Sequence, residues 1–459
     1  MNKMDIKKFH HIYMIGIGGI SMSGLAEILR VWQFEVSGSD RNASPQTEDL
    51  MWHGIHVNIG QKKENITDDI DLVVYTAAIP KDNPELVEAE TKKIPVIERG
   101  AFLGELTKLF PKTIGIAGTH GKTTTTSMVS NCFLEANLDP TIQVGAYLKN
   151  IDGNYRVGKS EYFIIEACEY KDSFLNFQEE STIVLNIDDD HMEYFKTMDR
   201  MQESYEKYVS KLSENGVLVI NNDDERCKTI KNVTKANVVT FGKTDADYTF
   251  ENVVFDKEGC PTFDVYQKGE YQDTISLSVP GEHNILNSLS CIALCRFYNI
   301  SWEHIKEGLK KFTGAARRME YRKDFQGARI YDDYAHHPTE VEATAKSILR
   351  HEYRESWVVF ECHSYSRLAM HMEEFAEALE LFDHIIVTDI YAARENNTYN
   401  VHENDLVAKM NQKQEKAIYL SGYETIKNYL QDHVKKGDII VTMGAGNITK
   451  LADLLTKEK

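Results

Sequence analysis

The sequence predicts an α/β protein of three domains, two of them doubly wound, mostly parallel sheets and the middle one a mixed sheet. Three observations carry this. The chain has 459 residues, more than one hydrophobic core accommodates. Short apolar runs pass through a glycine-rich or polar loop into a helical pattern at 11–31, 113–135 and 329–349. Between the second and third, residues 237–279 alternate in the manner of antiparallel strands, so the middle domain carries a small β insert. The expected boundaries are 1–110, 111–314 and 315–459.

Composition narrows the functional classes. A hydrophobic content of 42% with 27% charged residues is that of an ordinary globular protein. With 52 basic and 71 acidic residues the net charge is −19, which repels nucleic acid and anionic membranes; an anionic substrate must be held by local basic groups and backbone amides. No run of 18 apolar residues occurs, and MNKMDIKKFHH leads straight into a strand, so neither membrane insertion nor export is expected and the location is cytoplasmic. The seven cysteines, at 132, 168, 227, 260, 291, 295 and 362, form no C-x-x-C pair. That pattern argues for reduced thiols, against a disulfide framework and against a structural zinc site. Cys291 and Cys295, at helical spacing, read as small buried residues on an apolar face.

In the first domain HIYMIGIGGISMSG (11–24) is a buried strand entering a glycine-rich turn, followed by a helix and a second strand ending at Asp40. This is a Rossmann-like arrangement with an incomplete dinucleotide fingerprint: Gly16 and Gly18 are present, and Ser21 stands where the third glycine belongs. The Gly16–Gly19 turn is a candidate for a nucleotide or nucleotide-sugar pyrophosphate. Strands within 71–79 and 94–98 complete the unit.

The second domain opens with TIGIAGTHGKTTTTSM (113–128), read as strand, phosphate loop and helix of the P-loop ATPase type. Glycines 118 and 121 let backbone N–H groups crowd a polyphosphate, the helix N-terminus adds positive potential, Lys122 reaches the outer phosphates and the Thr123 hydroxyl can ligate Mg²⁺. Ile116 occupies the first glycine position of the long motif, so this is the shortened form G-T-x-G-K-T-T, with Thr119, His120 and Thr124 in or beside it. Strand EYFIIEACE (161–169) ends in Glu166 and Glu169, and STIVLNIDDDH (181–191) ends in acidic residues and His191. Groups past the carboxyl ends of parallel strands lie where such sheets bind ligands, so Glu166 and His191 are candidates for holding Mg²⁺. Asp188, Asp189 and Asp190 read as a solvated loop. In PGEHNILN (280–287) the side chains of His283, Asn284 and Asn287 could read an adenine edge, but helix capping is the favoured reading from the residues.

The third domain opens after Arg317 and Arg318. RIYDDYAHHPTEVEATAKSIL (329–349) is a strand, a loop dense in ionisable and aromatic groups, and a helix begun by Pro338; three further strand-loop-helix units follow. Gly444–Gly446 reads as a tight packing turn rather than an anion site.

GIGGISMSGLA, AGTHGKTTTT and YDDYAHHPTE stand in one order, with SGSD (37–40), EACEYKDSF (166–174) and GEHNILN (281–287) between them. Together they resemble the Mur ligases of peptidoglycan synthesis. The resemblance implies ATP-dependent joining of L-alanine to the carboxylate of UDP-N-acetylmuramate through an acyl phosphate, with Mg²⁺ and with ATP as co-substrate, in a monomer or homodimer. It further implies a UDP-sugar site at Gly16, Gly18, Gly19, Ser39 and Asp40. ATP would lie on Gly118, Thr119, His120, Gly121, Lys122, Thr123 and Thr124, with His283 and Asn287 at the adenine. Catalysis would rest on Lys122, Glu166, His191, Arg317, Arg318 and His336, with metal on Thr123, Glu166 and His191, and the amino acid on Tyr334, His336, His363 and Arg367. One departure stands out: Ser364 occupies a position where the family commonly has arginine, which removes one bidentate contact to a carboxylate and opens the site to glycine or L-serine. The alternatives are a murein-peptide recycling ligase, which joins a tripeptide to the same sugar nucleotide, and a nicotinamide-dependent oxidoreductase, which would leave the phosphate loop without a task.

Overall fold

A computed structural model describes residues 5–393 and 395–457. Two compact units emerge, one of Met1–Phe250, Val265–Asp273 and Asn287–Lys311, the other of Glu251–Asp264, Thr274–Leu286 and Phe312–Lys459.

The first unit begins with a five-stranded parallel sheet of β1 (His11–Ile15), β2 (Glu35–Asp40), β3 (His56–Ile59), β4 (Leu72–Tyr75) and β5 (Val96–Glu98), ordered β3-β2-β1-β4-β5. The order reverses between β1 and β4, so the crevice at the carboxyl end of β1 is where the Gly16 turn lies. Strand β3, with polar His56 and Asn58 in its four residues, gives no apolar run and was not legible in the sequence.

The central sheet contains β6 (Lys112–Ala117), β7 (Thr141–Leu148), β8 (Gly153–Arg156), β9 (Tyr162–Glu166), β10 (Ser181–Val184), β11 (Val217–Asn221) and β12 (Asn237–Phe241), ordered β12-β11-β10-β6-β9-β7-β8. All these pairs are parallel except β7 with β8. The β insert follows as β13 (Tyr248–Phe255), β14 (Pro261–Gln267) and β15 (Glu270–Ser276). Strands β14 and β15 are joined by Lys268 and Gly269, both in the left-handed region at φ 51° and 81°, as a tight two-residue hairpin requires. One apolar cluster runs from Ile12 and Leu25 through Phe102 to Phe163 and Val184, with Trp32 and Phe110 packed on it. Trp32 and Phe110 stand 5.6 Å apart, and Phe110 and Phe163 4.8 Å. The first two expected domains therefore share a core.

In the second unit β16 (Glu320–Phe325), β17 (Ala328–Asp333), β18 (Ser356–Phe360), β19 (His384–Val387), β20 (Ala417–Tyr419) and β21 (Ile439–Met443) form a sheet ordered β16-β17-β21-β18-β19-β20. Five strands are parallel and β16 is an antiparallel edge. Helices cover both faces: Val341 and Phe375 lie in one apolar cluster, Ile426 and Leu451 in the other. This is the expected doubly wound sheet with two strands added, the antiparallel edge β16 and the three-residue β20.

Candidate active site

The phosphate loop leaves the middle of the central sheet. Strand β6 is buried from Thr113 onward and lies between β9 and β10, so whatever those neighbours carry at their carboxyl ends flanks the loop. Gly118 has φ +131°, and a Cβ there would meet Leu185 at 2.9 Å. Gly121, at φ +86°, caps the helix Lys122–Glu135, and a Cβ on it would lie 2.7 Å from Asn287 Oδ1. Both glycines are thus demanded twice, by backbone conformation and by a neighbour.

A latch from the segment after β10 holds the loop. Asn186 O accepts from Thr119 N at 3.1 Å, Asn186 Oδ1 accepts from His120 N at 2.8 Å, and Asn186 Nδ2 donates to His120 O at 3.1 Å. The Thr119 hydroxyl accepts from Asp188 N at 2.9 Å, and His120 Nε2 lies 3.1 Å from Asp188 Oδ2. Asp188 is therefore a structural partner of the loop as well as part of a polar turn. Asn186 was missed by sequence reasoning; an amide at a strand end beside a phosphate loop is the signal that could have drawn attention to it.

Lys122 donates to Thr119 O at 2.9 Å and to Gly118 O, and pairs with Glu169 Oε2 at 3.0 Å. Glu169 is fully buried. Burial is the largest single influence and works to lower the Lys122 pKa, but the charge and hydrogen bond of Glu169 together with Cys168 and Glu166 outweigh it and hold the ammonium above its ordinary range. Glu166 stands opposite Ile116 in the β6–β9 register, and its Oε1 accepts from Gly145 N at 2.6 Å. His191, in the left-handed region at φ 58°, begins the short helix Met192–Phe195 with its ring 4.7 Å from Tyr170. Burial pulls the His191 pKa down, but the carboxylates of Glu193, Asp190 and Glu169 carry it above the usual imidazole value. Lys122, Glu166, Glu169 and His191 are thereby gathered at the carboxyl ends of three adjacent strands.

The glycine turn after β1 is built the same way. Gly16, at φ +81°, leaves no room for a Cβ, which would meet Thr76 at 2.7 Å. Gly18 N donates to Asp40 Oδ2 at 3.0 Å, and Gly19 caps the helix Ile20–Val31. Ser39 is buried and gives its hydroxyl to Glu85 at 2.6 Å, a carboxylate that also accepts from Tyr13 and Asn65. Ser21, where the fingerprint lacks its glycine, is a junction: its hydroxyl accepts from Arg99 at 3.2 Å and Gln143 at 3.3 Å, and its carbonyl accepts from Gln143 at 2.9 Å. A cleft of about 350 Å³ is lined by Gly16, Gly19, Ser21, Arg99, Gln143, Gly145 and Glu166, so the glycine turn and the metal-ligand candidate Glu166 face one space. Arg99 and Gln143 carry no motif and gave no signal in the sequence.

In the second unit, Arg317 and Arg318 hold their guanidinium groups over the Tyr334 ring at 4.8 and 5.2 Å. Arg317 donates to the carbonyls of Gly444 and Gly446, and the Tyr334 amide donates back to Arg317 O at 2.7 Å. The Gly444–Gly446 turn is packed on Glu361, whose backbone and carboxylate would lie 2.4 Å from a Cβ at either glycine, so it is the tight packing turn that was expected. His336 Nδ1 lies 3.1 Å from Glu340 Oε2, and its ring approaches Tyr334 at 5.3 Å and His363 at 5.9 Å. Arg367 donates to His363 O at 3.3 Å. Tyr334, His336, His363 and Arg367 thus form one group around the carboxyl ends of β17 and β18. Ser364, at φ 75°, caps the helix Tyr365–Met370. His283 is exposed on the first turn of the helix His283–Phe297, while Asn284 Nδ2 donates to Pro280 O at 2.7 Å, a local cap-like bond. No helix among the described residues is long and apolar enough to cross a membrane.

Comparison with known proteins agrees with this architecture along the chain. Residues 11–111 match the family described as Mur ligase family, catalytic domain, residues 116–295 the Mur ligase middle domain, and residues 317–446 the Mur ligase, glutamate ligase domain. A UDP-N-acetylmuramate--L-alanine ligase of Lachnospira eligens is 44% identical over 459 residues, covering 100% of both chains. One of Acetivibrio thermocellus is 43% identical, covering 99% of this chain and 97% of its own. Among solved structures, the UDP-N-acetylmuramate-alanine ligase of Thermotoga maritima superposes with a TM-score of 0.84 at 26% identity, covering 97% of this chain and 98% of that one. A murein peptide ligase of Psychrobacter arcticus gives 0.72 at 23% identity over 97% of this chain and 98% of its own, a likeness of fold alone.

Proposed function

The chain belongs to the Mur ligase family, and from that premise we propose that it joins L-alanine to the carboxylate of UDP-N-acetylmuramate, driven by ATP, in the synthesis of peptidoglycan precursors. A substrate carboxylate oxygen attacks the γ-phosphorus and ADP leaves; the alanine amine then attacks the acyl carbon, loses a proton and expels phosphate. The observation that carries the reading is the shared cleft: Glu166, beside the phosphate loop, lines the same space as the Gly16 turn and Arg99.

In this reading the amides of Gly118–Thr124, including His120, hold the phosphates, and Lys122 exchanges Glu169 for the γ-phosphate as charge builds on the transferred group. Gly16, Gly18 and Gly19 receive the UDP pyrophosphate, with Ser39 and Asp40 bracing the turn. His283 and Asn287 lie at the adenine, Arg317 and Arg318 approach the phosphates, and Tyr334, His336, His363 and Arg367 orient the amino acid.

The residues fit a hard cation. Gly145 leaves a space in which a Cβ would lie 2.9 Å from Glu166 Oε2, and a hydroxyl with one carboxylate is the donor set of Mg²⁺ that keeps water and phosphate as its other ligands. Thr123 and Glu166 would hold one ion and His191 a second. When bound, Mg²⁺ neutralises phosphate charge. The functional domains are proposed at 1–110, 111–314 and 315–459, in a cytoplasmic monomer or homodimer.

The recycling ligase is not favoured, since the relatives at 43–44% identity carry the L-alanine name. The test is an acceptor screen on the purified protein. Phosphate release requires ATP, UDP-N-acetylmuramate and L-alanine together, stops with EDTA and returns with Mg²⁺. Release with ATP alone, or preference for a tripeptide acceptor, overturns the proposal, and faster turnover with glycine or L-serine reassigns the amino acid at the Ser364 departure.

A further inference from the structure

We propose that Cys132, Cys291 and Cys295 form a buried site for one thiophilic d¹⁰ cation, zinc or copper(I), held by three thiolates.

Cys132 lies 159 residues before Cys291 in the chain, yet the two sulfurs are 3.8 Å apart, and Cys291 and Cys295 are 3.9 Å apart. All three sulfurs fall within 4.8 Å of one another, and all three residues have no exposed surface. A tetrahedral zinc with Zn–S bonds of ~2.3 Å holds its sulfurs about 3.8 Å apart, so two edges of the triangle already have the length such an ion requires and the third closes within 4.8 Å. Soft thiolates also select copper(I). A fourth ligand is at hand in the Ile305 carbonyl, whose oxygen is 3.7 Å from Cys132 Sγ. The helix Trp302–Lys311 closes the site at Gly308, where a Cβ would come within 2.9 Å of that sulfur.

Binding is an exchange of protons for metal. Each coordinated thiol gives its proton to the buffer, up to three in all, with no change of oxidation state. Position gives the site a consequence. Cys132 is on the helix that begins at Lys122, and Cys291 is one turn beyond Asn287 on its own helix. A cation there fastens together the two helices that meet where Asn287 approaches Gly121.

The test uses the full chain, expressed with zinc or, in a second arm, loaded anaerobically with copper(I), then dialysed against EDTA under reductant. The expected result in at least one arm is about one metal per chain and an X-ray absorption spectrum with a shell of three sulfurs, at ~2.3 Å for zinc. That shell separates the site from any oxygen and nitrogen site at the nucleotide. Cys132→Ala and Cys291→Ala should retain at least tenfold less metal, while Cys227→Ala, at a buried cysteine outside the cluster, retains it fully. Loss of both metals on dialysis, or a spectrum without sulfur neighbours, overturns the proposal, and the wild-type spectrum decides the matter even where a variant fails to fold.

Discussion

Lys122 and Glu169 set what a substitution at either end does. The carboxylate is fully buried and the ammonium nearly so, with 16% of its side chain exposed, so removing one partner leaves an uncompensated charge. Lys122→Ala should lower stability by roughly 3 kcal/mol and cut ATP-dependent phosphate release by about a hundredfold or more. The double variant Lys122→Ala with Glu169→Gln removes the stranded charge, and should recover most of the stability and none of the turnover. Urea melts and a phosphate assay separate the two effects. Full turnover in Lys122→Ala would dismiss the phosphate-binding role. The lysine itself was legible, because glycine, lysine and threonine stand in one short motif. Its partner was visible only as one of two carboxylates at a strand end, since nothing local says that Glu169 turns toward the loop while Glu166 turns toward Gly145.

At the scale of elements, the phosphate loop is shaped by what surrounds it. Gly121 is left-handed and faces Asn287, whereas Gly269, at φ +81° in the β14–β15 hairpin, has no neighbour within 4 Å of a would-be Cβ. Alanine at either site carries the left-handed strain, about 1 kcal/mol or more, but only Gly121→Ala also displaces Asn287. Gly121→Ala should therefore weaken ADP binding about tenfold or more, and Gly269→Ala should leave it unchanged, as read by calorimetry. Equal weakening in both would mean that general destabilisation, and not the shape of the loop, sets affinity. Ser21 carries the same lesson. Against the dinucleotide pattern it reads as a missing glycine, and in the fold it is the acceptor that ties Arg99 and Gln143 to the glycine turn. A motif records the local backbone need and is blind to a neighbour that arrives from another strand.

For the molecule as a whole, the pH dependence of stability should carry the mark of Glu179. This carboxyl is 6% exposed, lies over Gly115 behind the phosphate-loop strand, and accepts from the Tyr208 hydroxyl. Burial pushes its pKa up to about 8, against the hydrogen bonds of Tyr208 and Thr182. In the unfolded chain a glutamate ionises near pH ~4.3. The native state thus keeps a proton that the unfolded state has lost, so this group's contribution is fully present below about pH 4, declines as the pH rises and is gone above about pH 8. Glu179→Gln removes the decline. Its stability relative to wild type should rise by roughly 4 kcal/mol between pH 5 and pH 8.5, measured by urea melts; a difference that is flat with pH would show that the carboxyl ionises normally.

The order of three short signatures, the α/β rhythm and the phosphate-loop lysine are properties of neighbouring residues, because glycine, proline and hydrophobic period act over a few positions. They were enough for the fold class and for the family. Strands β3 and β20 escaped because a short strand takes its stability from its neighbours rather than from its own residues. The shared core of the first two expected domains, the Asn186 latch, the Arg99–Ser21–Gln143 junction and the triangle of Cys132, Cys291 and Cys295 join distant residues, 66 positions apart at the latch, 78 and 122 at the junction and 159 between Cys132 and Cys291. Those contacts follow from which strands lie side by side and which helices cross, and they exist only once the chain has packed.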